Sequence, residues 1–299
     1  MVILSHPIFL EHDTGPDHPE CAQRLRNILA ALGAAHVPWT HVAAPATVAE
    51  LERAHSPEHV ARVLALSGRA GLAGVEVPIS PRSIEAALWA AGGAIEATDR
   101  AVSTGEEVWA LVRPPGHHAT RALSQGFCVF NNVAIAALHF LAGAPGRRVA
   151  VLDWDVHHGD GTQDILWGEP DAGYLSIHQY PLYPETGTAE EQGDHDNIVN
   201  IPLPSGSDDA DYARVIEEVA LPALDRLRPN LLLVSAGFDA QRGDPLAGMW
   251  VTPQGFARMA SLVRAWAQES RVPVVFVLEG GYKVDTLAAC VLAAMGVAP

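Results

Sequence analysis

The residues Val149–Gln163 read VAVLDWDVHHGDGTQ and bring together three carboxylates, two adjacent histidines and two glycines. The apolar run before them followed by Gly and Asp predicts a buried strand that breaks into a loop at its C-terminal end. Asp155 and His157 stand two apart, so along extended backbone they point the same way. A carboxylate and an imidazole on one side of a strand end are two ready metal ligands. A catalytic zinc site needs a third protein ligand and an open position. Asp239, in the Gly-flanked stretch Ser235-Ala-Gly-Phe-Asp239, supplies the best candidate. Two carboxylates and an imidazole suit zinc and leave iron and manganese open.

Other residues could work beside such an ion. His117 and His118 are adjacent, titrate near neutrality and could serve as general acid and base. Histidines used this way usually have a carboxylate on the far ring nitrogen, and Asp153 and Asp160 are free for that task. Tyr282, delivered by Gly280-Gly281, could donate to a developing oxyanion. Metal, water, base and phenol together point to hydrolysis of a carbonyl compound, most naturally an amide. Taken singly, a tyrosine after two glycines or a histidine pair is more often a packing residue. His36, His41, His55, His59 and His139 are read that way. The weight rests on clusters at matching places in the chain.

Those places are the ends of expected strands. Short apolar runs occur at Val2–Ser5, His41–Ala44, Trp109–Val112, Val149–Leu152, Tyr174–Ile177, Ile198–Ile201, Leu231–Val234 and Val274–Leu278. Helical spacing is read over Pro19–Leu32, from a Ser56-Pro57 cap to Gly68, from Ser80-Pro81 to about Ser103, and over Asn132–Leu141, Asp209–Leu227 and Gln254–Gln268. Strands alternating with helices predict an α/β fold, with about eight mostly parallel strands and helices on both faces. No linker or composition shift divides the chain, so residues 1–299 are read as a single domain. In a parallel sheet the loops after Val112, Leu152, Val234 and Leu278 meet at one edge, where ligands bind in such folds.

Composition narrows the classes. The chain has 299 residues and a net charge of −16, which argues against a nucleic-acid surface. Its three cysteines, Cys21, Cys128 and Cys290, form no C-x-x-C pair and support neither disulfides nor a thiolate metal site. The apolar run at the N-terminus is too short for a secretory signal, and none reaches the roughly 20 residues of a membrane span. The expectation is a cytoplasmic protein without membrane or nucleic-acid partners.

RPPGHHA (Arg113–Ala119), GFCVFNN (Gly126–Asn132), DWDVHHGDGTQ (Asp153–Gln163), SIHQYPLYPETG (Ser176–Gly187), SAGFDAQRGDPLAG (Ser235–Gly248) and LEGGY (Leu278–Tyr282) resemble the histone deacetylase family, as does HDTGPDHPECAQRL (His12–Leu25) at the N-terminus. The likeness covers nearly the whole chain and is nearest the class II-like branch, with its bacterial amidohydrolases, acetoin-utilisation proteins and acetylpolyamine amidohydrolases. It implies the arginase/deacetylase fold. It also implies a zinc-dependent amidohydrolase, with Fe2+ as an alternative metal, that removes acetyl or other acyl groups from lysine side chains of a peptide or protein. A deacetylase of acetylpolyamines or other small acyl-amines is the neighbouring reading, and a non-catalytic acyl-lysine binder a third.

Residue by residue, the resemblance implies Asp155, His157 and Asp239 as zinc ligands and His118 as general base. It implies His117 as an electrostatic or proton-donating partner, with Asp153 behind His117 and Asp160 behind His118. Tyr282 would polarise the scissile carbonyl. Phe127 and Tyr183 would wall an acyl-lysine tunnel, and the backbone of Gly126 would accept from the substrate amide. A structural K+ would use Asp153, Asp155, His157, Ser176 and Ile177. Two-metal arginase relatives carry carboxylates where this chain has Gly159 and Gln241. One polyamine-selective branch has a gating glutamate where this chain has Leu246, an apolar gate that fits an acyl-lysine stem. Where many relatives have a rim aspartate that grips a peptide backbone, the counterpart the resemblance offers in this chain is Glu76. The sequence leaves the oligomeric state open.

Overall fold

The computed structural model describes residues 1–297. Its ten strands are β1 (Val2–Ser5), β2 (Thr40–His41), β3 (Gly71–Gly74), β4 (Val77–Ile79), β5 (Val108–Ala110), β6 (Val149–Asp153), β7 (Ala172–Gln179), β8 (Ile198–Leu203), β9 (Leu231–Ala236) and β10 (Val274–Leu278). Eight of them form one sheet in the order β2-β1-β5-β10-β9-β6-β7-β8, and every neighbouring pair is parallel. The expected eight-stranded α/β sheet is therefore present. Strands β5, β6, β7, β9 and β10 are buried along their whole length, which is why they read as near-continuous apolar runs and not as alternation.

The order decides where chemistry can happen. β5, β10, β9 and β6 lie side by side, and they are the four strands that lead into the polar clusters. Parallel neighbours run about 4.8 Å apart, so their C-terminal loops converge within a few side-chain lengths. Trp109 of β5 and Phe276 of β10 are register partners and stack at 4.2 Å, with Trp154 tilted against Phe276 at 5.7 Å. This aromatic stack packs β5, β10 and the segment after β6 against one another.

The helices are α1 (Ala22–Ala34), α2 (Val48–Ala54), α3 (Pro57–Leu64), α4 (Ser83–Thr104), α5 (Asn132–Ala142), α6 (Asp160–Leu166), α7 (Asp209–Val215), α8 (Leu221–Leu227), α9 (Pro253–Ser270) and α10 (Leu287–Met295). α4 and α5 pack together against β5 and β6, while α1, α9 and α10 form a second packed group. Ser56 caps α3 through its side chain, as its Ser-Pro signal predicts, and Thr252 caps α9 in the same way, ahead of Pro253.

Several boundaries differ from the sequence reading. Ser80-Pro81 does not start α4, because the Ser83 hydroxyl already takes the Ser80 N–H and the chain turns there. Asp209–Leu227 is interrupted by a π-helical turn at Ile216–Ala220, just before Pro222, whose ring cannot continue a regular ladder. The second strand is only Thr40–His41. Helices α2, α6 and α10 and the antiparallel β3–β4 hairpin, too short or too evenly apolar to show periodicity, escaped the sequence reading altogether.

Candidate active site

The sheet delivers its clusters to one place. Asp155 and His157 leave the end of β6, and Asp239 leaves the end of β9. One ligand atom from each lies within 4.8 Å of the other two, and all three residues are buried. His157 Nδ1 is 3.2 Å from Asp155 Oδ1 and 3.2 Å from Asp239 Oδ2. Burial opposes charge on His157, but the hydrogen bonds it donates to the two carboxylates outweigh it and push its pKa up to about 10. Burial and then the neighbouring Asp155 push Asp239 up to about 7. Two buried carboxylates that recruit a proton between them form a donor set short of positive charge, and this set fits a divalent cation.

The backbone around the set is committed to it. Val156 N–H donates to Asp239 Oδ1 and Gly280 N–H to Asp155 Oδ2, both at 2.8 Å. A Cβ on Gly280 would stand 2.1 Å from Asp239 Oδ2 and 2.5 Å from Asp155 Oδ2, so only glycine fits there. Gly159 is equally constrained, since a Cβ would meet Asp153 Oδ2 at 2.4 Å. The Gln241 amide is turned to the Thr286 hydroxyl at 2.7 Å. Neither of these two positions supplies a charged oxygen for a second cation.

The tandem histidines follow β5. His117 Nδ1 is 3.0 Å from Asp153 Oδ2, and His118 Nδ1 is 2.7 Å from Asp160 Oδ1. The two rings nevertheless differ in charge preference. Burial disfavours charge on His117, yet the carboxylates Asp155 and Asp153 raise its pKa well above the ordinary 6.5. Burial, and then the neighbouring His117, lowers His118 to about 4. One imidazole is thus held charged and the other neutral, a division of labour suited to an acid and a base.

Above these groups opens a cavity of about 210 Å³ lined by Glu76, His118, Gly126, Phe127, His157, Leu182, Tyr183, Leu246 and Tyr282. All four substrate-contact candidates from the sequence are in its wall. Tyr183 meets His118 edge-on at 5.1 Å, and Phe127 meets Tyr282 edge-on at 5.8 Å. Gly126 has φ +53, and a Cβ there would press into the His118 ring at 2.5 Å. The residues named for K+ also adjoin, with Asp153 and Ser176 register partners on β6 and β7. Ser176 Oγ is here 2.9 Å from His178 Nδ1.

Three supporting groups had no role in the sequence reading. Asp244 accepts from Tyr282 N–H at 2.7 Å and Lys283 N–H at 3.0 Å through one oxygen, and from Leu246 N–H at 3.0 Å through the other. Glu279, fully buried at the end of β10, accepts from the N–H groups of Gly116 and His117. Burial pushes its pKa up to about 7, against the pull of His117, and among the described residues its Oε1 has no hydrogen-bond partner. Arg24 donates to the carbonyls of Glu279 and Gly281, lies 5.0 Å from the Tyr282 ring centre and is itself held by Glu20. Glu20 also pairs with the fully buried Arg113. The signal available in the sequence was the presence of Asp244, Glu279 and Arg24, with Glu20 and Arg113, inside the quoted motifs.

Comparison with known proteins assigns the family and the fold. Residues 18–298 match the family described as Histone deacetylase domain. The chain belongs to the histone deacetylase family. It is 39% identical to the histone deacetylase-like amidohydrolase of Pseudomonas aeruginosa over 93% of this chain and 75% of that protein. Among solved structures, the HDA15 HD domain superposes with a TM-score of 0.93 at 34% identity, covering 99% of this chain and 90% of that one. The acetylpolyamine aminohydrolase of Burkholderia pseudomallei gives a TM-score of 0.88 at 30% identity, over 99% and 98%. As a family member the chain is a hydrolase of the deacetylase and amidohydrolase kind.

Proposed function

We propose that the protein is a zinc-dependent amidohydrolase that removes acetyl or other short acyl groups from lysine side chains. The observation that carries this reading is the cavity itself. Its narrow walls are the apolar faces of Phe127, Tyr183, Leu182 and Leu246, and its floor presents His118, His157 and Tyr282. An aliphatic stem between aromatic walls with an amide at the floor is what an acyl-lysine offers.

Asp155, His157 and Asp239 would hold the ion, which when bound supplies Lewis acidity to the substrate carbonyl and acidifies a water molecule. His118, held neutral with its Nδ1 toward Asp160, takes the proton from the attacking water at Nε2. Tyr282, whose burial raises its pKa well above 10, stays protonated and donates to the carbonyl oxygen as it becomes an oxyanion. The Gly126 carbonyl accepts from the substrate amide N–H and fixes the plane of the scissile bond. His117, held charged by Asp155 and Asp153, favours proton delivery to the leaving amine. In this reading Asp153, Asp155, His157, Ser176 and the backbone at Ile177 would hold a structural K+ beside the ligand strand.

A small acyl-amine is the second reading, favoured by the fold match to an acetylpolyamine aminohydrolase. The deciding measurement compares kcat/KM for acetyl-lysine peptides, acetylated polyamines and small acyl-amides, before and after chelation and after zinc is restored. Acetate release from lysine peptides, lost on chelation and regained with zinc, is expected. Turnover confined to polyamines would overturn the lysine assignment, and turnover indifferent to chelation would overturn the metal.

A further inference from the structure

The segments that lead into the cavity wall at Glu76 and Gly126 carry apolar residues that the chemistry at the floor does not use. Leu72, Val75 and Leu123 are 67%, 71% and 56% exposed, among the more exposed large apolar side chains of the described residues. The β3–β4 hairpin carries two of them, and its turn supplies Glu76 to the cavity wall. Val75 bridges to Gln125, Phe127 N–H donates to the Glu76 carbonyl at 3.3 Å, and Gly74 approaches Ser124 so closely that a Cβ would touch its carbonyl. The hairpin tip is therefore latched to the segment that forms one tunnel wall and carries Leu123. Tyr183, which also lines the cavity, is 38% exposed, and Tyr180, three residues before it, is 37% exposed. Single exposed apolar side chains are ordinary, but a group of them around an opening marks a contact surface.

Geometry says what must cover this surface. When a lysine side chain threads the tunnel, its own main chain and the residues on either side of it come to rest on the rim. We propose that the rim is a specificity surface for peptides, selecting acyl-lysines whose neighbouring residues are apolar; this rests on the lysine reading above. Glu76 is the one carboxylate among the cavity-lining residues. A free polyamine would set its ammonium groups on a largely apolar collar and lose hydration with few partners to replace it. A charged flanking residue would meet the same cost, whereas Leu or Phe there would bury apolar area against Leu72, Val75 and Leu123.

The test uses the zinc-loaded protein and three substrates: acetyl-lysine flanked by Leu and Phe, the same peptide flanked by Glu and Lys, and an acetylated polyamine. A preference of about tenfold in kcat/KM for the apolar-flanked peptide is expected, the scale set by burying one or two partly covered side chains. In Val75→Asp and in Leu123→Asp, the ratio between the two peptides should fall close to one. Both positions are exposed, and thermal melting verifies that each variant remains folded. Equal rates for the two peptides, or a preference that survives both substitutions, would overturn the inference while leaving the deacetylase reading intact. Cleavage of the polyamine with neither peptide cleaved would overturn both.

Discussion

At the scale of single residues, two histidines one position apart are driven to opposite charge states by what stands behind them. Asp153 and Asp155 hold a proton on His117, and His117 in turn helps to keep one off His118. Tyr282 is the residue whose role is easiest to isolate, because its hydroxyl is no part of the Asp155, His157 and Asp239 donor set. Tyr282→Phe should lower kcat by about 10²–10³-fold, the worth of one oxyanion donor, with metal content by elemental analysis unchanged. An unaltered kcat would remove Tyr282 from the reaction. The types of these residues and their order along the chain were legible in the sequence. Their charge states were not, because burial and the separations between charges exist only in the folded chain.

At the scale of elements, the loops are held by carboxylates that bind backbone N–H groups. Asp244 joins the loop carrying Asp239 and Leu246 to the turn carrying Tyr282. Asp244→Ala should therefore lower kcat at least about tenfold, since the phenol loses its fixed aim. Asp244→Asn keeps acceptor capacity and should recover part of that loss, and steady-state kinetics on the two variants decides the matter. Equal damage from both would point to charge and not to hydrogen bonding. Glu20 performs a comparable task farther down, where it lies between two guanidinium groups, Arg24 and Arg113, all three without exposed surface. Burial opposes its ionisation, but Arg113 and Arg24 hold its carboxyl well below the usual range. Glu20→Gln leaves two buried cations short of a partner and should cost roughly 3–5 kcal/mol in urea unfolding. A cost below about 1 kcal/mol would show that water reaches the cluster.

At the scale of the whole molecule, folding buries histidines that must stay neutral. His55 accepts from Asn131 N–H through Nε2, and its Nδ1 is 2.9 Å from the Thr120 carbonyl, so both ring nitrogens are committed. Burial, and then His59, lowers its pKa from 6.5 to about 3. The unfolded chain takes up a proton near pH 6.5 while the folded chain does not, so the contribution is present above pH 6.5 and is lost as pH falls toward 3. At roughly 1.4 kcal/mol per pKa unit, several kcal/mol is at stake from this one ring. Urea midpoints measured with chelator present should fall steadily below about pH 6.5, and less steeply in His55→Gln. A flat profile down to pH 5 would contradict it.

By itself the sequence determined the residue types, their order and the strands that carry them. Asp155 and His157 on one strand end and the pair His117-His118 are local facts, fixed by spacing of one or two residues. The eight apolar runs announced a parallel sheet because strands buried on both faces need unbroken hydrophobicity. The strand order was decided only in three dimensions. Setting β5, β10, β9 and β6 side by side depends on how helix layers cover both faces, a contest among contacts distant along the chain. That order carries Asp239 to His157 across 82 residues and Glu279 to His117 across 162. It also gave Asp244, Glu279 and the β3–β4 hairpin their work, since their partners lie on other loops and leave no periodic trace in the chain.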